Sequence, residues 1–251
     1  MEALDNPVWH ALTGPQSEYS EGGSLARRYQ TDVAAFAALP DEVDPGAWNA
    51  LAQLVGPGAA AVLFRPAPVA LPRDWEIVMR LNSLQMVATE AIGEPDESFE
   101  TLGPRDVAEM LSLVERTRPG PFMQRTVELG TYLGRRAESG ARLIAMTGER
   151  VHPPGYTELS AVCTDAEARK LGLATRLIRA VAAGIEERGE TPILHVLAEN
   201  DAAIRVYERL GFATSAAFET LIVQAPTADM TTGRLQVVQL KGEGRRLNPD
   251  Y

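Results

Sequence analysis

The stretch Arg169-Lys170-Leu171-Gly172-Leu173-Ala174 lies between a predicted strand and a predicted helix. A turn that leads into a helix N-terminus offers backbone N–H groups without an intrahelical partner, and the helix dipole adds positive potential there. Such a turn suits a phosphate or pyrophosphate, since Gly172 lets the backbone approach closely and Ala174 adds little bulk. Taken alone, the motif is weak, because a glycine at a strand-to-helix turn usually marks only a tight connection.

The segments around this turn alternate between strand-like and helix-like hydrophobic patterns, which predicts an α/β domain with a mixed sheet in the order β-β-β-α-β-α-β-β. The predicted elements are a helix over 104–118, strands at 126–136, 141–150 and 156–163, a helix over 172–189, a strand at 193–197, a helix over 200–210, and a closing hairpin of 218–223 and 235–240.

The first hundred residues differ in charge from the rest of the chain. They contain 5 Arg and no Lys against 15 Asp and Glu, whereas the remainder is neutral. The polar, breaker-rich segment 93–98 places a domain boundary near residue 100, giving portions 1–100 and 101–251. Within the first portion we expect a short helix over 33–39, a helix after Asp44, and strands at 60–64 and 75–87.

The overall composition excludes several classes of protein. The 251 residues carry a net charge of −10 and a pI near 4.9, which argues against binding to nucleic acid or to anionic membranes. A single cysteine, Cys163, rules out an internal disulfide framework, and three scattered histidines give no metal-ligand spacing. Neither a secretory signal nor a run of about 18 apolar residues is evident, so we expect a cytoplasmic protein.

A second motif begins 31 residues after Arg169. Residues 200–212 fit the pattern Asn-x-x-Ala-x-x-x-Tyr-x-x-x-Gly-Phe. Together the two motifs resemble the GNAT superfamily of N-acetyltransferases, and the split layout is similar to its FR47-like branch, which is itself similar to glycine N-acyltransferases. The resemblance implies a GNAT-type mixed central sheet flanked by helices over 101–251. The α/β portion 1–100 is then either a degenerate copy of the same fold or a lid and dimer surface.

The resemblance also implies a set of residues that bind acetyl-CoA as cosubstrate, with no metal. Backbone amides after Arg169 would bind the pyrophosphate, the end of the preceding strand would pair with pantetheine, and the second motif would contact the pantetheine arm and the sulfur. The implied residues are Val162, Cys163, Thr164, Arg169, Lys170, Leu171, Gly172, Leu173, Ala174, Thr175, Asn200, Ala203 and Tyr207.

Attack of an amine on a thioester needs a base, a donor for the developing oxyanion and an acid for the thiolate. By the resemblance, Glu158 is the first choice for the base and His195 the second. A backbone N–H of Val162 or Cys163 would serve the oxyanion, and Tyr207 would serve as the acid. A histidine is an easy base near pH 7, whereas a glutamate needs a raised pKa.

Other interpretations of these residues stay open. Tyr207 also fits a core position, Asn200 a simple helix cap, Glu158 a structural ion pair, and Cys163 a small buried hydrophobe. The expected acceptor is a primary amine of a small molecule, an amino acid or a peptide, which attacks directly in a ternary complex, and a homodimer is compatible with the chain. The competing function is a non-catalytic module that binds acetyl-CoA, and a longer acyl-CoA is a further alternative donor.

Overall fold

The computed structural model describes residues 3–227 apart from 67, 139 and 141. The helices in this part of the chain are α1 (Pro7–Thr13), α2 (Pro45–Val55), α3 (Val107–Thr117), α4 (Leu173–Glu187) and α5 (Asp201–Arg209). The strands are β1 (Ser20–Gly22), β2 (Arg27–Tyr29), β3 (Phe36–Ala38), β4 (Ala60–Pro66), β5 (Glu76–Ala88), β6 (Glu100–Leu102), β7 (Tyr132–Arg136), β8 (Leu143–Glu149), β9 (Tyr156–Thr164), β10 (Thr191–Leu197) and β11 (Phe212–Gln224).

These strands form one sheet in the order β1-β2-β3-β4-β11-β5-β10-β9-β8-β7-β6. Two neighbouring pairs are parallel, β3 with β4 and β9 with β10, and each is connected through a helix, α2 or α4. The sheet therefore has two similar halves. On one side of the centre the strands run β4, β3, β2, β1 toward the edge, and on the other side β10, β9, β8, β7 follow in the same arrangement.

The two central strands are exchanged between these halves. β5 follows β4 along the chain yet pairs with β10, and β11 follows β10 yet pairs with β4. The registers of these two pairings also correspond. Val62 of β4 pairs with Ile222 of β11, and at the equivalent place Ile193 of β10 pairs with Val87 of β5. Each half thus receives its last strand from the other half, and β5 and β11 pair with each other along the middle.

The boundary near residue 100 falls between β5 and β6, and the sheet is continuous across it. The interpretation of 1–100 as a degenerate copy of 101–251 stays a prediction.

Helices cover both faces of the sheet. On one face, α4 packs through Ile178 against Leu194. On the other face, α1 packs through Leu12 against Phe64, and α3 covers the neighbouring strands through Met110. Successive side chains of a strand point to opposite faces, so His195 lies on the face covered by α1. None of the helices in the described residues combines the length and apolar character needed to cross a membrane.

Most predicted elements of the second portion are confirmed, with ends shifted by a few residues. The helix over 104–118 is α3, the strand at 156–163 is β9, the helix after Gly172 is α4, and the strand at 193–197 is β10. Between residues 126 and 136, only Tyr132–Arg136 is a strand, because Thr126–Leu129 forms a 3-10 helix.

The predicted helix over 33–39 is wrong. Phe36–Ala38 forms β3, which is buried and pairs with β2 on one side and β4 on the other. A short apolar run does not distinguish a buried strand from a buried helix by periodicity. The predicted closing hairpin is also wrong. Residues 218–223 do form a strand, part of β11, but β11 pairs with β4 on one edge and with β5 on the other over 218–224, so neither edge is free for a hairpin partner. Residues 235–240 lie outside the described part of the chain.

Candidate active site

The parallel strands β9 and β10 separate halfway along their length. They pair at Tyr156, Thr157 and Glu158, and beyond this point no further pair joins them within the described residues. From there β10 continues along β5, and β9 continues along β8 through an irregularity at Ala161, whose φ is 51°. The separation leaves a crevice in the sheet beside the second half of β9.

Backbone groups of β9 face this crevice. The N–H of Asp165 donates to Ile144 of β8 at 2.7 Å, and the following pairs are Thr164 with Ala145 and Cys163 with Met146. Because hydrogen-bonding direction alternates along an antiparallel pair, Cys163 is directed toward β8, whereas Val162 and Thr164 are directed toward the crevice. Of the two residues expected to donate to an oxyanion, the alternation favours Val162.

The turn between β9 and α4 provides further free N–H groups. Lys170 and Gly172 have positive φ values of 65° and 74°, and Gly172 is the N-cap of α4. A glycine cap has no side chain that could occupy the first-turn amides, which therefore remain available to an anion. Alternation of left- and right-handed residues arranges successive N–H groups into an anion-binding concavity. Leu171 lies at the tip of the turn and is 67% exposed.

The crevice and the turn open into one cavity of about 400 Å³. Nine of the residues expected to bind acetyl-CoA line it, and Thr117, Ala168 and Val206 complete its wall. The nine are Val162, Cys163, Thr164, Arg169, Lys170, Gly172, Leu173, Ala174 and Thr175. The expected residues Leu171, Asn200, Ala203 and Tyr207 do not line this cavity.

Helix α5 borders the same cavity through Val206. Asn200 is its N-cap and accepts a hydrogen bond at Oδ1 from the N–H of Ala203, at 3.1 Å. This bond leaves the Nδ2 of Asn200 able to donate elsewhere. Tyr207 packs in the same apolar cluster as Val162, and burial raises its pKa to about 12, so its hydroxyl is protonated at neutral pH.

The two candidate bases contact each other away from the cavity lining. The Nδ1 of His195 lies 2.8 Å from Oε1 of Glu158, and Arg150 donates to both carboxylate oxygens, at 2.7 and 2.9 Å. The Glu158 side chain is 1% exposed and that of His195 is 5% exposed. Burial opposes ionisation of Glu158, but Arg150 and then His195 outweigh it and hold its pKa at about 2. The raised pKa that a glutamate base requires is therefore absent.

His195 is enclosed by aromatic rings and one amide. The rings of Phe64 and Phe218 lie 4.2 and 5.2 Å from its ring, measured between centroids. The Nε2 of Gln85 lies 3.2 Å from Nε2 of His195. Burial lowers the pKa of His195 and outweighs the opposing effect of Glu158.

The remaining candidate, Cys163, is buried, and burial raises the pKa of its thiol to about 11. A neutral thiol is a poor nucleophile, in agreement with its interpretation as a small buried hydrophobe. Within the described residues, no group of three or more His, Cys, Asp or Glu side chains is placed to hold a metal ion.

A solved structure from Novosphingobium aromaticivorans, assigned to the GNAT family of acetyltransferases, is 40% identical to this protein. The match covers 90% of this chain and 100% of that chain, with a TM-score of 0.82. The chain belongs to the GNAT family. It is therefore an acyltransferase, and acetyl transfer is the general chemistry of its family.

Two further comparisons match part of the sequence and the fold. Residues 132–222 match the family model of the FR47-like protein, from β7 into β11. A GCN5-related N-acetyltransferase from Kribbella flavida is 18% identical, covers 88% of this chain and 95% of that chain, and shares the fold with a TM-score of 0.58. Among curated proteins, none matches this chain.

Sequence reasoning missed the residues that surround the candidate bases of this GNAT chain. Arg150 follows the end of β8, and Gln85 lies on β5, far from the two motifs in sequence. Nothing in their spacing connects them to Glu158 or His195. The contact of Gln85 with His195 depends on the exchanged position of β5, and that of Arg150 with Glu158 depends on the return of the chain from β8 into β9. An Arg directly after an apolar strand that ends in Glu149 was the one available signal, and it is a common surface pattern.

Proposed function

We propose that this GNAT-family chain is an acetyl-CoA-dependent N-acetyltransferase that transfers the acetyl group to a primary amine by direct attack in a ternary complex. The acceptor is a small molecule, an amino acid or a peptide. The observation that carries the proposal is the joined cavity, because strand amides at the crevice and helix amides at the turn line one continuous space. A flexible thiol arm attached to a pyrophosphate has the two parts that such a cavity suits.

The residues of the turn would bind the diphosphate of acetyl-CoA. The first-turn amides of α4 supply uncapped donors, and Arg169 and Lys170 add positive charge at the cavity wall. The strand end from Val162 to Thr164 would pair with the pantetheine amides through its main chain, as an added strand would. Asn200 would donate from Nδ2 to the same arm.

Acetyl-CoA supplies an activated thioester, and the chain supplies position, an oxyanion donor and two proton-handling groups. The N–H of Val162 is the proposed oxyanion donor. Tyr207 is the proposed acid, since a tyrosine with a pKa near 12 remains a hydrogen-bond donor across the working pH range.

For the base we prefer His195 over Glu158. Both oxygens of Glu158 already accept bonds from Arg150 or His195, and its low pKa makes it a weak proton acceptor. His195 is neutral, and its Nε2 lone pair accepts one hydrogen bond, the 3.2 Å contact from Gln85, which a substrate proton would have to displace. Glu158 then serves as the anion that orients the His195 ring.

The function is tested by measuring CoA release from acetyl-CoA with a panel of amines, alongside acetyl-CoA binding by calorimetry. Substituting Tyr207→Phe removes only the hydroxyl, so we expect turnover to fall about tenfold or more, which is roughly 1.4 kcal/mol of barrier, with unchanged acetyl-CoA affinity. Tight acetyl-CoA binding without transfer to any amine would instead support the non-catalytic binding module. Absence of acetyl-CoA binding would reject the proposal outright.

A further inference from the structure

Arg150 belongs to a buried chain of polar groups that extends across the seam between the two halves of the sheet. It runs from Arg150 through Glu158 and His195 to Gln85, with successive contacts of 2.7, 2.8 and 3.2 Å. The Oε1 of Gln85 in turn accepts a hydrogen bond from Ser215 of β11 at 2.9 Å. Of these groups, only Arg150 and Glu158 carry a full charge, and the two charges cancel.

The hydrogen-bond directions along this chain determine which nitrogen of His195 carries the proton. The amide nitrogen of Gln85 has two hydrogens and donates one to the carbonyl of Leu4, at 3.0 Å. Its second hydrogen points to the Nε2 of His195, which must then accept. The proton of the neutral ring is therefore on Nδ1 and is donated to Glu158, while the lone pair is on Nε2.

The first portion of the chain holds Arg150 in place. Its guanidinium lies over the ring of Phe36, 4.8 Å from the centroid, and its carbonyl accepts a bond from Gln16 at 2.8 Å. Gln16 also accepts from the hydroxyl of Tyr29. The first portion thereby fixes the charge that faces Glu158, although none of its described residues lines the acetyl-CoA cavity.

We propose that Arg150 is the positioning residue for the base: it keeps Glu158 anionic without leaving a net negative charge beside His195, so that His195 stays neutral with Nε2 as its proton acceptor. The inference rests on the proposed function for its catalytic meaning, but its physical content concerns the protonation of His195 alone.

Every group that faces the pair supports this role for Arg150. Glu158 is faced by Arg150, by His195, by His152 and by Tyr29 and Tyr132. Burial raises the pKa of both tyrosines and lowers that of His152, so these three side chains are neutral at pH 7. His195 is faced by Glu158, by the more distant Arg150, by Gln85 and by the two phenylalanine rings on β4 and β11. Arg150 is thus the cation that balances Glu158 in this cluster. Without it, a buried carboxylate would contact His195 uncompensated, and His195 would take up a proton.

The test compares Arg150→Met, Arg150→Lys and the double variant Arg150→Met with Glu158→Gln. Imidazole resonances are followed by NMR against pH, with His195 assigned from His195→Gln, and the pH profile of CoA release is recorded in parallel. In Arg150→Met we expect the His195 pKa to rise by one unit or more. The acidic limb of activity should move up by the same amount, because a base must be unprotonated to act.

Arg150→Lys keeps the charge, so His195 should titrate within a few tenths of a unit of the wild type. The double variant removes both charges, so His195 should stay neutral as in the wild type, and it serves as the test if Arg150→Met does not fold. A His195 titration unchanged in Arg150→Met, equal shifts in the Met and Lys variants, or a raised His195 pKa in the double variant would each overturn the inference. If the wild type acetylates no amine, the proposed function fails while the NMR titration still decides the role of Arg150.

Discussion

Two turns occupy equivalent places in the two halves of the sheet, and they differ in the charge and the capping that an anion would meet. The four residues before α2, 41–44, include three acidic side chains, and the four before α4, 169–172, include two basic ones. Earlier in the second turn, Asp165 is paired with Arg116 and Glu167 with Arg142. Both turns connect parallel strands through a helix. The same backbone topology thus places acidic residues directly before the helix in one half and basic residues directly before it in the other.

The helix N-termini of the two turns differ in the same direction. Asp44 caps α2 and accepts from the N–H of Gly46 at 2.6 Å, whereas the glycine cap of α4 leaves its amides open. Beside the first turn, Arg65 donates to the carbonyls of Leu39 and Pro40, in the region that corresponds to the crevice. An aligned helix dipole is therefore not sufficient for an anion site, since the amides must also be uncapped and accessible.

The strands beneath the two turns also correspond. In one half Phe36 pairs with Val62, and Phe64 follows Val62 by two residues. In the other half Glu158 pairs with Ile193, and His195 follows Ile193 by two residues. The contact of Glu158 with His195 thus has its counterpart in two aromatic rings, 6.1 Å apart between centroids. One half contains the polar pair, and the other contributes apolar packing around it.

A charge placed in the first turn of α4 should have the largest effect. Ala174→Glu puts a carboxylate at the cavity wall, so we expect acetyl-CoA affinity to fall about 100-fold or more, roughly 3 kcal/mol, through repulsion of the pyrophosphate and loss of space. Ala202→Glu is the matched control, because it places the same residue at the same position of α5 on an exposed site. Calorimetry on both variants measures the difference, and equal losses would mean that the turn is not the pyrophosphate site.

A smaller effect is expected from the backbone of the turn. Gly172 and Gly189 lie at opposite ends of α4, with φ values of 74° and 76°, and a β-carbon added at either would meet no atom of the described residues within 4 Å. Each Gly→Ala change should lower the free energy of unfolding by about 1 kcal/mol, since alanine is strained in this region. Only Gly172→Ala should also weaken acetyl-CoA binding, by about tenfold. Thermal unfolding and calorimetry separate the two effects, and similar affinities would contradict the assignment.

The acidic turn should show the smallest effect on the cofactor. Asp44→Ala removes the cap of α2 and should lower stability by about 1 kcal/mol. Acetyl-CoA affinity should change less than about twofold, because Asp44 is on the other half of the sheet. A large gain or loss of affinity in this variant would show that the acidic turn takes part in binding.

Local signals were enough to predict the two helices that border the cavity and nine of the residues that line it. Gly172 with the small residue Ala174, and Asn200 with Tyr207, are separated by fixed spacings, and helix periodicity with glycine caps placed α4 and α5. These features depend on interactions within about ten residues of each other, so they can be read from a single chain.

The surroundings of the two candidate bases could not be predicted from the sequence, and the reason is physical. Glu158 and His195 were candidates, but their mutual contact depends on the parallel pairing of β9 with β10. The groups that surround the pair come from β5 and from the loop that carries Arg150. A pKa near 2 for Glu158 follows from that tertiary contact rather than from neighbours in sequence. The misassigned segment 33–39 has the same origin, because pairing on both edges outweighs a local helical pattern.

The exchange of β5 and β11 also determines the order in which the molecule is completed during synthesis. β5 leaves the ribosome more than 100 residues before β10, the strand it must pair with, and β11 is made later still. During that interval β5 has unpaired edges, which are prone to aggregation, and contacts of such long sequence separation form slowly. A nascent chain that has not yet made β11 therefore has an unfinished sheet between β4 and β5, and the two halves of the sheet can join only once β11 is present.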